Sequence, residues 1–192
     1  MELVFATNNQ HKLTEIRDLL NDRFIVRSLE DIGCWEEIPE EQPTLEGNAF
    51  QKAQFVYTHY GLNSFADDTG LEVEALGGAP GVLSARYAGP GKNSDDNIRK
   101  LLDKMSEIKN RNARFRTVIS LIIDGKETLF EGIAEGMILY KKKGRNGFGY
   151  DPVFCPKGST CSFAEMDLRT KNKISHRGLA FEKLVRFLNN ER

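Results

Sequence analysis

Residues 5–12, FATNNQHK, carry the chain from the end of an apolar strand through a sharp turn into a helix. Upstream, Glu2 to Ala6 reads as a short buried strand. Downstream, Gln10 to Asn21 reads as a helix with Leu13, Ile16, Leu19 and Leu20 on one face. A strand running directly into a helix is the unit of α/β folds, and a helix start offers free N–H groups and a positive dipole end to an anion. This turn has no glycine, and neither GxxxxGK[ST] nor GxGxxG occurs in the chain, so it is neither a P-loop nor a dinucleotide fingerprint. Thr7 and Asn9 can supply side-chain donors, and Lys12 can reach back from the first helical turn. The residues alone favour a plainer reading, in which Asn8 and Asn9 cap the helix and Lys12 lies on a solvated face.

Working outward, Phe24 to Leu29 reads as a second strand and residues 30–43 as an acidic loop broken by Pro39 and Pro43. Thr44 caps a helix carrying Leu45, Ala49, Ala53 and Val56 towards Tyr60. Asn63 to Ala66 reads as a brief strand ending in Asp67-Asp68-Thr69-Gly70. A glycine-rich stretch follows to Gly89, then a helix from Ser94 to Met105 with Ile98, Leu101, Leu102 and Met105 in phase. Residues 113–140 read as three strands of a meander around the turn Asp124-Gly125-Lys126. A last helix begins near Ser175 with Leu179, Leu184, Val185 and Leu188 inward. The pattern predicts a mixed α/β fold, a single elongated domain of two lobes with a central groove.

Composition sets the broad class. The 192 residues are 40% hydrophobic and 29% charged, ordinary for a soluble globular enzyme. A formal charge of −1 gives no polyelectrolyte attraction to nucleic acid, and no apolar run approaches the ~20 residues that span a bilayer. The first apolar stretch, Leu3 to Ala6, is too short for a signal peptide. Three cysteines (Cys34, Cys155, Cys161) without CxxC spacing suggest reduced thiols in a cytoplasmic protein rather than a disulfide framework or a zinc site.

Three further clusters carry chemistry. In ADDTG, residues 66–70, adjacent carboxylates diverge in an extended backbone, so Asp67 and Asp68 do different jobs: one faces a divalent ion, the other braces the turn. The same string is equally a turn signal. Glu40, in EEIPEEQP, can swing towards the same ion, and magnesium asks for few carboxylates beside water and phosphate oxygens. In GRNGFGYDPVF, residues 144–154, Phe148 and Tyr150 sit in a glycine-framed loop, read either as exposed aromatics that stack on a nucleobase or as an apolar plug. In TKNKISHRG, residues 170–178, Lys171, Lys173, His176 and Arg177 crowd a helix start. Cations oppose the dipole there, which points to an anionic or oxygen-rich ligand.

Together these strings resemble the inosine triphosphate pyrophosphatase (Ham1-like) family. Thr7, Asn9 and Lys12 match its [ST]-x-N-x-x-K, Asp67 to Gly70 its DD[ST]G, Phe148 to Pro152 its FGYDP, and Ser175 to Arg177 its SHR, while LGGAPGVLSARYAG resembles its bacterial members. The motifs run in the family's order over nearly the whole chain. The resemblance implies an ITPase-like fold and hydrolysis of ITP, dITP and XTP to the monophosphate and pyrophosphate with Mg2+, by a cytoplasmic homodimer. It implies that Thr7, Asn8, Asn9, Gln10, His11 and Lys12 hold the triphosphate with Lys52 as a phosphate neighbour. Asp68 is then the catalytic group, and Asp68 with Glu40 the metal ligands. Thr69, Phe148, Gly149, Tyr150, Asp151, Lys171, His176 and Arg177 contact the nucleotide. The chain departs from the family at Gly47, where a glutamate is common, and keeps a hydroxyl at Thr69 in place of serine. Two rivals are a Maf-type pyrophosphatase acting on dTTP or UTP, whose SxSPRR is missing after the first strand, and a sensor that binds nucleotide without hydrolysis.

Overall fold

The computed structural model describes residues 2–20 and 24–190. Strand β1 (Glu2–Phe5) leads into helix α1 (Gln10–Leu20) and strand β2 (Ile25–Arg27). Helix α2 (Leu45–Tyr60), strand β3 (Ser64–Val73), strand β4 (Pro80–Gly81) and helix α3 (Ser94–Lys104) follow. Strands β5 (Asn112–Ile123) and β6 (Lys126–Ile138), strand β7 (Phe154–Pro156), and helices α4 (Leu168–Ile174) and α5 (His176–Asn190) complete the order. The sheet runs β2-β1-β3-β5-β6-β7, with β4 paired to β3. The β1 pairs with β2 and β3 are parallel, whereas β3–β4 and β6–β7 are antiparallel. This is the mixed α/β class expected.

Two compact units partition the chain: unit 1 takes Met1–Asp68, Thr117–Gly132 and Gly178–Arg192, and unit 2 takes Thr69–Arg116 and Ile133–Arg177. In unit 1 the run Leu3-Val4-Phe5-Ala6 is buried on both faces, as parallel strands with two covered sides are. Leu3 and Phe5 enter a cluster with Leu13, Ile16, Phe65, Phe181 and Leu184, while Val4 and Ala6 enter another with Leu29, Ala53, Val56 and Ala66. Phe5 stacks on Phe65 at 4.6 Å between centroids, and Phe181 meets both rings edge-on at 5.9 and 6.2 Å. Unit 2 closes over Leu71, Val73, Ile98, Leu101, Met105, Phe115, Phe154 and Phe163.

Four expectations are revised. The brief strand at 63–66 is ten residues long, so Asp67 and Asp68 lie inside β3 rather than beyond its end. Leu71 and Val73, both fully buried, extend it, and Gly70 is a point of close strand approach, since a Cβ there would lie 2.8 Å from the Gly81 carbonyl oxygen. The meander is two long strands joined at Asp124 and Gly125, both with positive φ as a type I′ turn requires. Strand β6 runs through Gly132 and Gly136, and Gly136 leaves room for the Cys155 backbone. A short helix, α4, capped by Asp167, precedes Ser175, which separates it from α5. In α5, Leu184 and Leu188 are buried as expected, and Val185 packs against the same cluster. Leu179 is only half-buried. The Asn21 end of the first helix and the side chains of Leu19 and Leu20 lie outside the described residues. Cys34, Cys155 and Cys161 are free thiols.

The aromatic triad supplies the first prediction. Phe65→Ala removes the ring between Phe5 and Phe181 and should cost about 3–5 kcal/mol in urea unfolding. A loss below about 1 kcal/mol would show that the triad is not the centre of unit 1.

Candidate active site

The turn at 5–12 is built by its own side chains. Thr7 Oγ1 accepts from the Asn9 backbone N–H at 3.2 Å, and Asn9 Oδ1 accepts from the N–H groups of His11 and Lys12 at 3.0 and 3.4 Å. Asn9 therefore caps α1, with its oxygen turned to the helix start. Asn8, Gln10 and His11 are exposed. Lys12 is not on a solvated face: its Nζ lies 2.8 Å from Asp67 Oδ1, and the Asp67 side chain is fully buried. Asp67 is the carboxylate that braces the turn.

Asp68 faces a different partner set. Helix α2 presents Asn48 and Lys52 on the same stripe as Leu45, Ala49, Ala53 and Val56. Lys52 Nζ donates to Glu40 Oε1 and to the Asp67 carbonyl oxygen, each at 2.7 Å, and lies 3.9 Å from Asp68 Oδ1. Asn48 Nδ2 donates to Asp68 Oδ2 at 3.0 Å. Burial works against the Lys52 charge, but Asp68, Glu40 and Asp67 outweigh it and hold its pKa above the usual lysine value. Burial pushes the Asp68 carboxyl above its ordinary range, against the pull of Lys52, Lys12 and Asn48.

Glu40 and Asp68 thus share one lysine, as two oxygen donors in a cluster where three carboxylates meet two ammonium groups. Among the described residues no three His, Cys, Asp or Glu side chains gather at metal-binding spacing. Two carboxylates with a residual negative charge suit a hard cation that keeps water and phosphate oxygens, which is magnesium's habit.

Unit 2 gathers the other expected residues. Asp151 Oδ2 accepts from Lys171 Nζ at 2.9 Å and from the Phe148 backbone N–H at 2.8 Å; both paired side chains are 4% exposed. Gly147 has φ +75°, and a Cβ there would run into the same Asp151 carboxylate. Half-buried Phe148 has Lys171 Nζ and the Arg177 guanidinium at 5.0 and 5.2 Å from its ring centre. Arg177 Nη2 donates to Thr69 Oγ1 at 3.4 Å. Gly149 is half-buried between these aromatics.

The two aromatics of the 144–154 loop divide between its two readings. Tyr150 is buried, its hydroxyl donating to the Ser84 carbonyl oxygen at 2.9 Å, so only Phe148 of the two aromatics is partly open. His176 is buried with its ring stacked on Phe115 at 4.4 Å. The residue that sequence reasoning missed is Asn48. Its signal was a polar residue in the apolar stripe of α2. A cavity of about 660 Å³ in unit 2 lies elsewhere, lined by Glu72, Arg114, Glu135 and Lys157 among others and by none of the residues above. Arg114 pairs there with Glu72 at 2.6 Å and Lys157 with Glu135 at 3.0 Å, while Glu74 accepts from the Asn110 and Asn112 side-chain amides, so the chemistry is assigned to the other clusters.

Residues 3–187 match the model of the Ham1 family. The chain is 57% identical over 188 residues to the dITP/XTP pyrophosphatase of Porphyromonas gingivalis, with 97% of each chain covered. It is 53% identical to that of Flavobacterium johnsoniae, with 98% of each covered. Among solved structures it is similar to the Ham1 protein of Staphylococcus aureus, at TM-score 0.92 and 37% identity over the whole of both chains. The HAM1 protein of Coxiella burnetii gives TM-score 0.92 and 36% identity over 98% of each.

The Asp151–Lys171 pair gives a stability prediction. Asp151→Ala leaves the buried Lys171 ammonium without its carboxylate and should cost about 3–5 kcal/mol in chemical denaturation. Asp151→Asn, which keeps an oxygen acceptor, should cost less. Equal, negligible losses would mean that the pair does not hold the 147–151 loop.

Proposed function

The chain belongs to the Ham1 family, and from that premise and the two residue sets we propose that it hydrolyses non-canonical purine nucleoside triphosphates (ITP, dITP and XTP) to the monophosphate and pyrophosphate. The single observation that carries the reading is the Lys52 ammonium held between Glu40 and the Asp67–Asp68 segment. A buried cation beside the Glu40 and Asp68 carboxylates supports the reading, because phosphoryl chemistry asks a protein for both signs of charge in one cluster.

In this reading Thr7, Asn9, Lys12 and Lys52 bind the triphosphate, and Lys12, held by Asp67, is a fixed cation rather than a swinging one. Glu40 and Asp68 would hold Mg2+, which when bound neutralises phosphate charge. Water attacks the α-phosphorus, forming one P–O bond as the bond to the bridging oxygen breaks and pyrophosphate leaves. The water's proton passes to a carboxylate, and Asp68, made more basic by burial, is assigned that task. The relatives' names support the substrate class, and the resemblance to the family supports a cytoplasmic homodimer. No described helix is long and apolar enough to cross a membrane.

Unit 2 is assigned the base. Hypoxanthine and xanthine carry an oxygen at C6 where adenine carries an amine. Arg177 offers only N–H donors, so it welcomes O6 and meets the amine donor against donor. Unpaired buried donors discriminate strongly. Phe148 stacks on any purine.

The test is a panel of ITP, XTP, GTP, ATP and dTTP with Mg2+, scored for pyrophosphate. ITP and XTP should be cleaved well ahead of ATP and dTTP; preference for dTTP would favour a Maf-like activity, and binding without cleavage a sensor. Asp68→Asn should lose more than tenfold in kcat, above ~1.4 kcal/mol of transition-state stabilisation, while still folding. Arg177→Ala should lower kcat/KM for ITP far more than for ATP, and Phe148→Ala should weaken all purines alike. An equal loss on every purine in Arg177→Ala would make Arg177 a phosphate or structural contact instead.

A further inference from the structure

One buried amide in unit 1 has both ends engaged. Asn48 on α2 is 1% exposed. Its Nδ2 donates to Asp68 Oδ2 at 3.0 Å, and its Oδ1 accepts from the Gln42 backbone N–H at 2.9 Å. Gln42 lies two residues beyond Glu40, whose carboxylate meets Lys52 at 2.7 Å. The amide therefore touches Asp68 on one side and the Glu40 loop on the other.

The neighbouring residue explains how the loop comes so close. A Cβ on Gly47 would lie 2.7 Å from Gln42 Cβ and 3.2 Å from Gln42 Cγ, so any side chain there pushes the loop away from the helix. Gly47 is the third residue of α2. Its backbone N–H meets Thr44 Oγ1 at 3.1 Å, which fixes the start of α2 against the same loop.

We propose that Asn48 is a positioning residue that sets the separation of Glu40 and Asp68, the two carboxylates assigned to the divalent cation, and that Gly47 is the gap that lets the Glu40 loop close onto it. This rests on the reading of the Lys52-centred cluster as a metal-dependent site. Lys52 lies near Asp68 Oδ1 and Asn48 holds Oδ2, so the carboxylate plane is fixed from two directions. Asparagine suits the place because one short, planar group carries a donor and an acceptor. Leucine has similar bulk and neither. Outer partners that orient ligating groups typically carry 10–100-fold in metal affinity or activity.

The experiment uses the whole protein without nucleotide and Mn2+ as the probe, titrated by electron paramagnetic resonance. Two further readouts are the Mg2+ concentration for half-maximal ITP turnover and hydrogen exchange at the Gln42 amide. Asn48→Leu should raise the Mn2+ Kd and the half-activating Mg2+ concentration by about tenfold or more. It should also speed Gln42 exchange, with the KM for ITP at saturating Mg2+ little changed. Gly47→Ala raises helix propensity, and because its Cβ would also lie 3.1 Å from the capping Thr44 Oγ1, circular dichroism checks that α2 is intact. It should shift the same quantities in the same direction by less, and it carries the test alone if Asn48→Leu does not fold. Wild-type Mn2+ affinity in the folded variants, whatever happens to kcat or Tm, would make Asn48 a core polar residue and overturn the proposal. A wild-type protein that binds no Mn2+ overturns both this role and the metal reading. A wild-type protein that binds Mn2+ but leaves ITP intact overturns the activity alone and leaves the Asn48 comparison decisive.

Discussion

The Lys52 ammonium is the constraint on which unit 1's chemistry depends. It is almost wholly buried, and burial alone would drive it to the neutral form. Glu40, Asp68 and Asp67 keep it charged, while Lys52 in turn ties the Glu40 loop and the Asp67 carbonyl to α2. Removing either side of such a pair strands the other in a low-dielectric setting, so the cluster stands or falls together. Asp67 and Asp68 diverge because β3 is extended through both: one fixes Lys12, the other faces Asn48 and Lys52. A pair that reads as a doublet in the sequence has two separate tasks.

Unit 2 uses the same logic with one acid. Asp151 receives Lys171 and the Phe148 N–H, and this holds a glycine-rich loop that would otherwise have many conformations. Two cations, Lys171 and Arg177, lie over the Phe148 ring. In both units a buried carboxylate holds a lysine, Asp67 with Lys12 and Asp151 with Lys171, and groups fixed in this way lower the cost of binding.

Much of this was legible in the residues. The run LVFA, with no polar alternation, declared a strand covered on both sides, and the caps Asn9 and Thr44 marked helix starts correctly. The motif strings brought out Lys12, Glu40, Asp67, Asp68, Asp151, Lys171 and Arg177, and the family resemblance added Lys52. Length and exposure were harder. β3 was cut short because Asp-Asp-Thr-Gly has turn chemistry, and only the pairing with β4 and burial of Leu71 and Val73 override it. The length of β6 was hidden because the backbone that Gly136 makes room for, at Cys155, is distant in sequence. Tyr150 stayed open between exposure and an apolar plug, since its partner Ser84 is 66 residues away. Asn48 stood out only as a polar residue in an apolar stripe, because its meaning depends on what two other segments bring to it.

The central claim is that a water molecule attacks the α-phosphorus of a non-canonical purine triphosphate at the Lys52-centred cluster. The most direct measurement is hydrolysis of ITP in water enriched in oxygen-18, with both products analysed by mass spectrometry. The account predicts one oxygen-18 in the inosine monophosphate and none in the pyrophosphate. Label in the pyrophosphate, or release of inosine diphosphate and orthophosphate, would contradict it.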